Sequence, residues 1–127
     1  GHTTGLARCL TFRDHIYNDS EIDASFAKSL QSKCPRSGKD DILEPLDLQT
    51  PTHLDNLYFQ NLLDKKGLLH SDQELINGGS TDKLVKKYAT NTVALFKDFA
   101  KGMVIMSNIK PLTGSEGQIR INCRKVD

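Results

Sequence analysis

The sequence predicts a mainly α-helical protein with little or no β-structure. Apolar residues recur at helical spacing over most of its length, and glycine and proline punctuate the periodic segments. Strand-like alternation is weak and confined to residues 119–126, which allows at most one short strand.

The 127 residues fit one domain, long enough to bury about two-thirds of the surface its unfolded chain exposes. Apolar side chains make up 37% of the chain; with the glycines added, the content stays just under the roughly 45–50% of soluble domains. Seventeen basic and sixteen acidic residues leave a net charge of +1, a balance that implies no nucleic-acid partner and no membrane-surface partner. Lys65-Lys66 and Lys86-Lys87 lack interleaved aromatics and read as solvated helix faces. No apolar run approaches the ~20 residues that a membrane span needs. No signal peptide is present, which says little, because the first methionine is Met103 and residue 1 is not a translation start.

Leu6, Leu10, Phe12, Ile16 and Tyr17 suggest a first helix over residues 5–17, with His2 at its start. Asp23 is placed to cap a second helix whose Phe26, Ala27 and Leu30 share a face. That helix ends before Cys34-Pro35, because proline disfavours a helical residue ahead of it. Residues 35–52 hold three prolines and no convincing period, and read as a long loop. Loops of this length in compact domains are functional or disordered, and Ile42, Leu43, Leu46 and Leu48 argue that this one is held down.

From Thr52 the helical signal returns, with Leu54, Leu57, Tyr58, Asn61 and Leu62 in one stripe and Gly67 as a left-handed cap. Ser71 and Glu74 have capping-box spacing for a short helix, which Asn77-Gly78-Gly79 stops. Ser80 or Thr81 starts the next, with Leu84, Val85 and Tyr88 facing inward. Thr92–Met106 carries the strongest pattern, its stripe of Leu95, Phe96, Phe99, Met103 and Met106 expected as core. Residues 111–117 are turn-rich.

Four histidines, at positions 2, 15, 53 and 70, show no zinc-helix spacing, and no nucleophile elbow, P-loop or dinucleotide fingerprint occurs. Each histidine, taken alone, reads as structural. The stretch 47–55 is more informative. Asp47 and Asp55, with Thr50 and Thr52 between them, offer oxygen ligands suited to Ca²⁺, a hard cation tolerant of irregular coordination. The plainer alternative makes Asp47 a loop residue and Thr52 a helix cap. Cysteine usage is open as well. Closing a loop between Cys9 and Cys34 would contribute roughly 3 kcal/mol and leave Cys123 over, whereas in a reducing compartment all three would be thiols. The sequon Asn18-Asp19-Ser20 leans towards a secretory route.

Several segments, in order, resemble the secretory plant (class III) haem peroxidases. Gly1-His2-Thr3 with Gly5 and Ala7-Arg8-Cys9 is similar to the proximal haem-ligand motif. Pro45-Leu46-Asp47-Leu48, Thr50-Pro51-Thr52 and Asp55-Asn56 resemble the proximal calcium loop. Lys66-Gly67-Leu68-Leu69 with Ser71-Asp72-Gln73-Glu74-Leu75 resembles the segment holding the proximal aspartate, and Pro111-Leu112-Thr113-Gly114 with Asn122-Cys123-Arg124 the C-terminal end.

The resemblance implies that residues 1–127 form the proximal, C-terminal part of a haem-peroxidase domain, the distal half lying outside them. It implies His2 as the axial ligand of a b-type haem and Asp72 as the acceptor orienting it. Leu46 would pack near the proximal haem face, and Arg8 is a weaker candidate for a propionate contact. Thr3, Asp47, Thr50 and Asp55 would hold Ca²⁺ through side chains and His53 through its carbonyl, so that the ion tethers the long loop. Cys9 and Cys34 would form a disulfide. The parent enzyme would use hydrogen peroxide to oxidise small phenolic donors by one-electron steps, and would be secreted to the cell wall or vacuole. The chain alone lacks the family's distal acid–base residues. The alternative is a non-catalytic fragment that binds calcium and acts through self-association or pairing across its cut face; a helical remnant with no ligand is the plainest reading.

Overall fold

The computed structural model describes residues 1–126. They divide into a compact unit, residues 1–95, and a second unit from residue 96 onward.

The first unit opens with an extended segment rather than a helix. Strand β1, Leu6–Arg8, pairs antiparallel with β2, Leu43–Pro45, in the register Leu6↔Pro45, Ala7↔Glu44, Arg8↔Leu43. Helix α1, Cys9–Asn18, therefore starts four residues later than the sequence suggests, and His2 lies in a turn ahead of β1. The reason is visible at Gly5, whose φ of 111° breaks any helix there. Its N–H donates to the Pro51 carbonyl at 2.9 Å and its own carbonyl accepts from Leu46 N–H at 3.0 Å. Leu6 and Leu10, expected to be inward, are accordingly exposed.

This pairing also fastens the long loop. Cys9 N–H donates to Ile42 O and Leu10 N–H to Asp40 O, continuing the ladder into α1. Arg13 adds a fork, with Nε donating to Pro35 O at 2.8 Å and the guanidinium also reaching Gly38 O and the Asp40 carboxylate. The loop's tether is thus backbone pairing and one arginine, whatever an ion contributes. Glu44, buried at the centre of β2, is paired with Lys33 Nζ at 2.9 Å.

Helix α2, Ala24–Lys33, begins as expected: the Asp23 carboxylate accepts from Phe26 N–H at 2.8 Å, and Phe26, Ala27 and Leu30 are buried. A disulfide joins Cys9 and Cys34, with Cα atoms 5.6 Å apart, and ties the start of α1 to the end of α2. Around it Phe12, Ile16, Phe26, Leu30 and Leu68 close the first core cluster. Cys123 is a free, exposed cysteine.

A second cluster forms where α3, Leu57–Leu63, meets α5, Asp82–Thr90, through Tyr58, Leu62 and Val85. Asn56 and Gln60 side chains both donate to Ala89 O and fix the end of α5. Helix α3 starts later than the return of the sequence pattern at Thr52, because Asp55 Oδ1 takes the Leu57 N–H at 2.8 Å and sets the first turn there. The residue in the left-handed region after α3 is Lys65, φ 56°, not Gly67. Gly67 is instead required by close approach: a Cβ there would lie 3.0 Å from Leu62 Cδ2 and 3.1 Å from Gln73 N.

Helix α4 is short, His70–Gln73. Its N-cap is Leu69, so Ser71 and Glu74 do not form the expected capping box; the carboxylate that reaches back is Asp72, at 3.4 Å from Leu69 N. A 3-10 turn follows over Glu74–Ile76. Thr81 stands at the N-cap of α5, as expected, whereas Leu84 is exposed.

Helix α6, Thr92–Ser107, matches its sequence signal in extent but not in burial. Leu95 is buried, Phe99 half-buried, and Phe96, Met103 and Met106 are exposed. The second unit has one helix and, among its described residues, only a 3-10 turn at Gly114–Glu116 beside it, so no second layer within it covers the stripe. No strand forms over residues 119–126, where Ile119 and Ile121 are fully exposed. Among the described residues no helix is long and apolar enough to cross a membrane.

Two outcomes follow from these contacts. Replacing both disulfide cysteines, Cys9→Ala with Cys34→Ala, is expected to lower unfolding free energy by about 3 kcal/mol in a denaturant titration. At Asp23 the Ser25 hydroxyl, then the Phe26 N–H, hold the carboxyl below its usual value. A lowered folded-state value stabilises above the ordinary carboxylate range and is lost as pH falls through it. Asp23→Asn, which caps without ionising, is therefore expected to flatten the acid limb of the stability–pH curve, leaving neutral-pH stability nearly unchanged.

Candidate active-site scaffold

Residue 2 and residue 72 meet across seventy positions of sequence. His2 Nδ1 lies 2.7 Å from Asp72 Oδ1. Helix α4 is what presents Asp72, whose side chain is 4% exposed against 47% for His2. The same Oδ1 accepts from the Tyr58 hydroxyl at 2.9 Å, and Oδ2 from Leu69 N–H. A carboxylate oxygen that already accepts from the Tyr58 hydroxyl acts as acceptor towards His2 as well, which assigns the proton to Nδ1 of the imidazole. That leaves the Nε2 lone pair, which makes no hydrogen bond within the described residues, available to a ligand. Burial and, after it, the Asp72 charge push the Tyr58 hydroxyl far above its ordinary value, so it serves as a donor and not as an acid.

The oxygen-rich stretch resolves into two adjoining groups. Thr3, buried, donates through Oγ1 to His53 O at 3.0 Å, and the same oxygen accepts from Asp55 N–H at 3.2 Å. The Asp55 carbonyl lies 3.4 Å from it. The second group is centred on Asp47, which is fully buried. Its Oδ1 accepts from Gln49 N–H, Thr50 N–H and, at 3.0 Å, Asn61 Nδ2; its Oδ2 accepts from the Thr50 hydroxyl at 3.1 Å. Among the described residues no lysine, arginine or histidine pairs with Asp47. A fully buried carboxylate met by neutral donors is the setting in which a hard cation binds. Among the described residues the His53 ring takes no part in either group, and its Nδ1 lies 3.2 Å from Thr52 Oγ1.

Two further expected residues stand differently. Leu46 is half-buried against the first core cluster, 3.5 Å from where a Cβ on Gly5 would be. Arg8 is exposed and pairs with Asp41 at 3.1 Å. Tyr58 and Asn61 were legible only as members of the α3 stripe. Their polar ends in an otherwise apolar face were the one sign that the stripe served more than packing.

The chain is similar to known proteins over almost its whole length. The family model described as peroxidase matches residues 1–91. Peroxidase 4 of Vitis vinifera is 58% identical over 128 residues, covering 99% of this chain and 40% of that protein. Peroxidase RIP1 of Medicago truncatula is 54% identical, covering 99% and 39%. A peroxidase of Lupinus polyphyllus is 52% identical, covering 100% of this chain and 81% of that sequence. The chain thus spans about two-fifths of the length of the first two. With the helical fold and the Cys9–Cys34 disulfide, this extent of identity establishes that the chain belongs to the peroxidase family, among its plant class III members.

Proposed function

We propose that these residues are the proximal half of a haem peroxidase that uses hydrogen peroxide to oxidise phenolic donors by one-electron steps. The observation that carries this is the His2–Asp72 pair, 2.7 Å apart, with the Nε2 of His2 uncommitted. His2 would hold a b-type haem through Nε2. Bound haem would supply the redox chemistry towards peroxide and donor.

What the chain's own residues do can be derived. Asp72 keeps the proton on Nδ1, fixes the ring's orientation, and gives the imidazole partial imidazolate character, which raises its basicity as a ligand. Tyr58 limits that effect, because it shares the same carboxylate oxygen and draws charge from it. Leu46 would border the proximal side, and Arg8, already paired with Asp41, would have to leave that pair to meet a propionate.

Thr3, Asp47, Thr50 and Asp55 would hold Ca²⁺ with the His53 carbonyl. The support is an oxygen-only donor set, a buried Asp47 that pairs with no lysine, arginine or histidine among the described residues, and an Asp55 carboxylate whose Oδ1 accepts from Leu57 N–H. Because Thr3 adjoins His2, such an ion would set the entry angle of the ligand-bearing turn. Secretion to the cell wall or vacuole fits the disulfide.

A second reading, association with another chain or with the remainder of the parent fold, is favoured by one observation. Met103, Val104, Ile105, Met106 and Ile109 are all exposed in the second unit. Sedimentation across a concentration series tests it, and a monomer throughout removes self-association.

For the haem reading, titration of haem into the purified protein, followed by the Soret band, is expected to saturate at one equivalent. His2→Ala is expected to abolish that binding, and Asp72→Asn to weaken it by about 10–100-fold. Equal haem binding by wild type and His2→Ala would sink the assignment. For calcium, chelation is expected to lower the melting midpoint of the wild type and not of Asp47→Asn. The calcium-dependent part amounts to about 2.7 kcal/mol at free Ca²⁺ a hundredfold above its dissociation constant. A wild-type melt indifferent to chelator would remove the site.

A further inference from the structure

On the far side of the first core, the end of α1 and the start of α4 bring two histidines to one carboxylate. Asp19 Oδ2 lies 2.5 Å from His15 Nδ1 and 2.6 Å from His70 Nδ1. The imidazole rings stand nearly perpendicular, at 74°. His15 is buried, and its Nε2 lies 3.1 Å from the carbonyl of Gly67. A carbonyl only accepts, so Nε2 donates to it, and Nδ1 either donates a second proton to Asp19 or turns its lone pair to a cation that replaces that proton. At this distance Nδ1 and the carboxylate oxygen share a proton, which a metal ion would displace as the two atoms move apart.

The remaining geometry suits a metal. One ligand atom from each of the three residues lies within 4.8 Å of the others. Tetrahedral zinc, with bonds of about 2.0–2.2 Å, places its ligand atoms about 3.3–3.5 Å apart, so adjustments of an ångström or so suffice. The Gly67 carbonyl is the outer acceptor that a metal-bound imidazole ordinarily has on its second nitrogen. The three residues also line a cavity of about 170 Å³, bordered by Ser20, Glu21, Gln73 and Glu74, which has room for a water ligand. We infer that His15 Nδ1, Asp19 and His70 Nδ1 form a binding site for a borderline divalent transition-metal ion, Zn²⁺ being the best fit, with one position open to the cavity. Two imidazoles and one carboxylate favour such ions over Ca²⁺, which takes oxygen ligands. The site is distinct from the oxygen-rich group at Asp47.

Calorimetric titration of ZnCl₂ into haem-free protein, in excess Ca²⁺, tests this. One saturable equivalent is expected, with a rise in melting midpoint, since only the folded chain assembles the ligands. His70→Ala removes an exposed ligand without opening the core, and Asp19→Asn weakens the carboxylate. Each is expected to cost at least the 10–100-fold typical of lost outer-shell partners (about 10-fold as the minimum). His53→Ala is the control and is expected to bind as wild type; far-UV circular dichroism checks that each variant folds. No saturable binding by wild type would mean a hydrogen-bonded brace only and overturn the proposal. Unchanged affinity in His70→Ala, or binding lost only in His2→Ala, would overturn it too. Neither result would touch the haem reading, whose test rests on His2 and the Soret band.

Discussion

A carboxylate taken out of water must be surrounded by donors or it unfolds the site that holds it. Asp72 is that carboxylate here. Three elements converge on it: the first turn of the chain through His2, helix α3 through Tyr58, and the N-terminal backbone of α4 through Leu69. None of these contacts is local in sequence except the last. The need to keep Asp72 satisfied therefore joins the chain's beginning to its middle. The orientation of the His2 ring follows from that need rather than from any contact of its own, since the rest of the ring is half in solvent.

The first ten residues have almost no internal structure and gain all of it from partners. His2 is held by Asp72, Thr3 by residues 53 and 55, Gly5 by residues 46 and 51, and Ala7 by Glu44. Cys9 then locks the segment to Cys34. Loop-closure entropy makes such long-range pairings costly one at a time. Here a disulfide, a two-stranded ladder and two polar clusters share the cost over a single short stretch. The arrangement explains why a glycine with positive φ sits at position 5: the ladder needs a reversal between Thr4 and Leu6 that a side chain would strain.

Most of the helical class was legible in the sequence. The α2 cap at Asp23 and the Phe26–Leu30 face were readable because both depend on residues three or four apart. The same logic failed at residues 5–8, where apolar spacing compatible with a helix was overridden by pairing with residues 43–46, which no local window contains. It failed again at Ser71, because the carboxylate one residue further on was already drawn inward by His2 and Tyr58 and took the Leu69 N–H as part of that network. The α6 stripe was read correctly as periodic, but periodicity reports which residues share a face and not whether anything lies against it. The candidate site was legible only through resemblance. Spacing alone offers no reason to join position 2 to position 72, or position 3 to position 55.

Helix α3 shows how the two halves of the scaffold are made one. Tyr58 and Asn61 stand three residues apart and so share a face. Each donates to a different buried carboxylate, Tyr58 to Asp72 and Asn61 to Asp47. Leu62, beside them, is fully buried in the cluster that packs α3 on α5. A shift of this short helix along its axis would therefore lengthen both hydrogen bonds together, while its packing on α5 resists that shift. The proximal-ligand group and the oxygen-rich group thus share α3 as a common support. Both buried carboxylates are thus reached from one face of a helix of only seven residues.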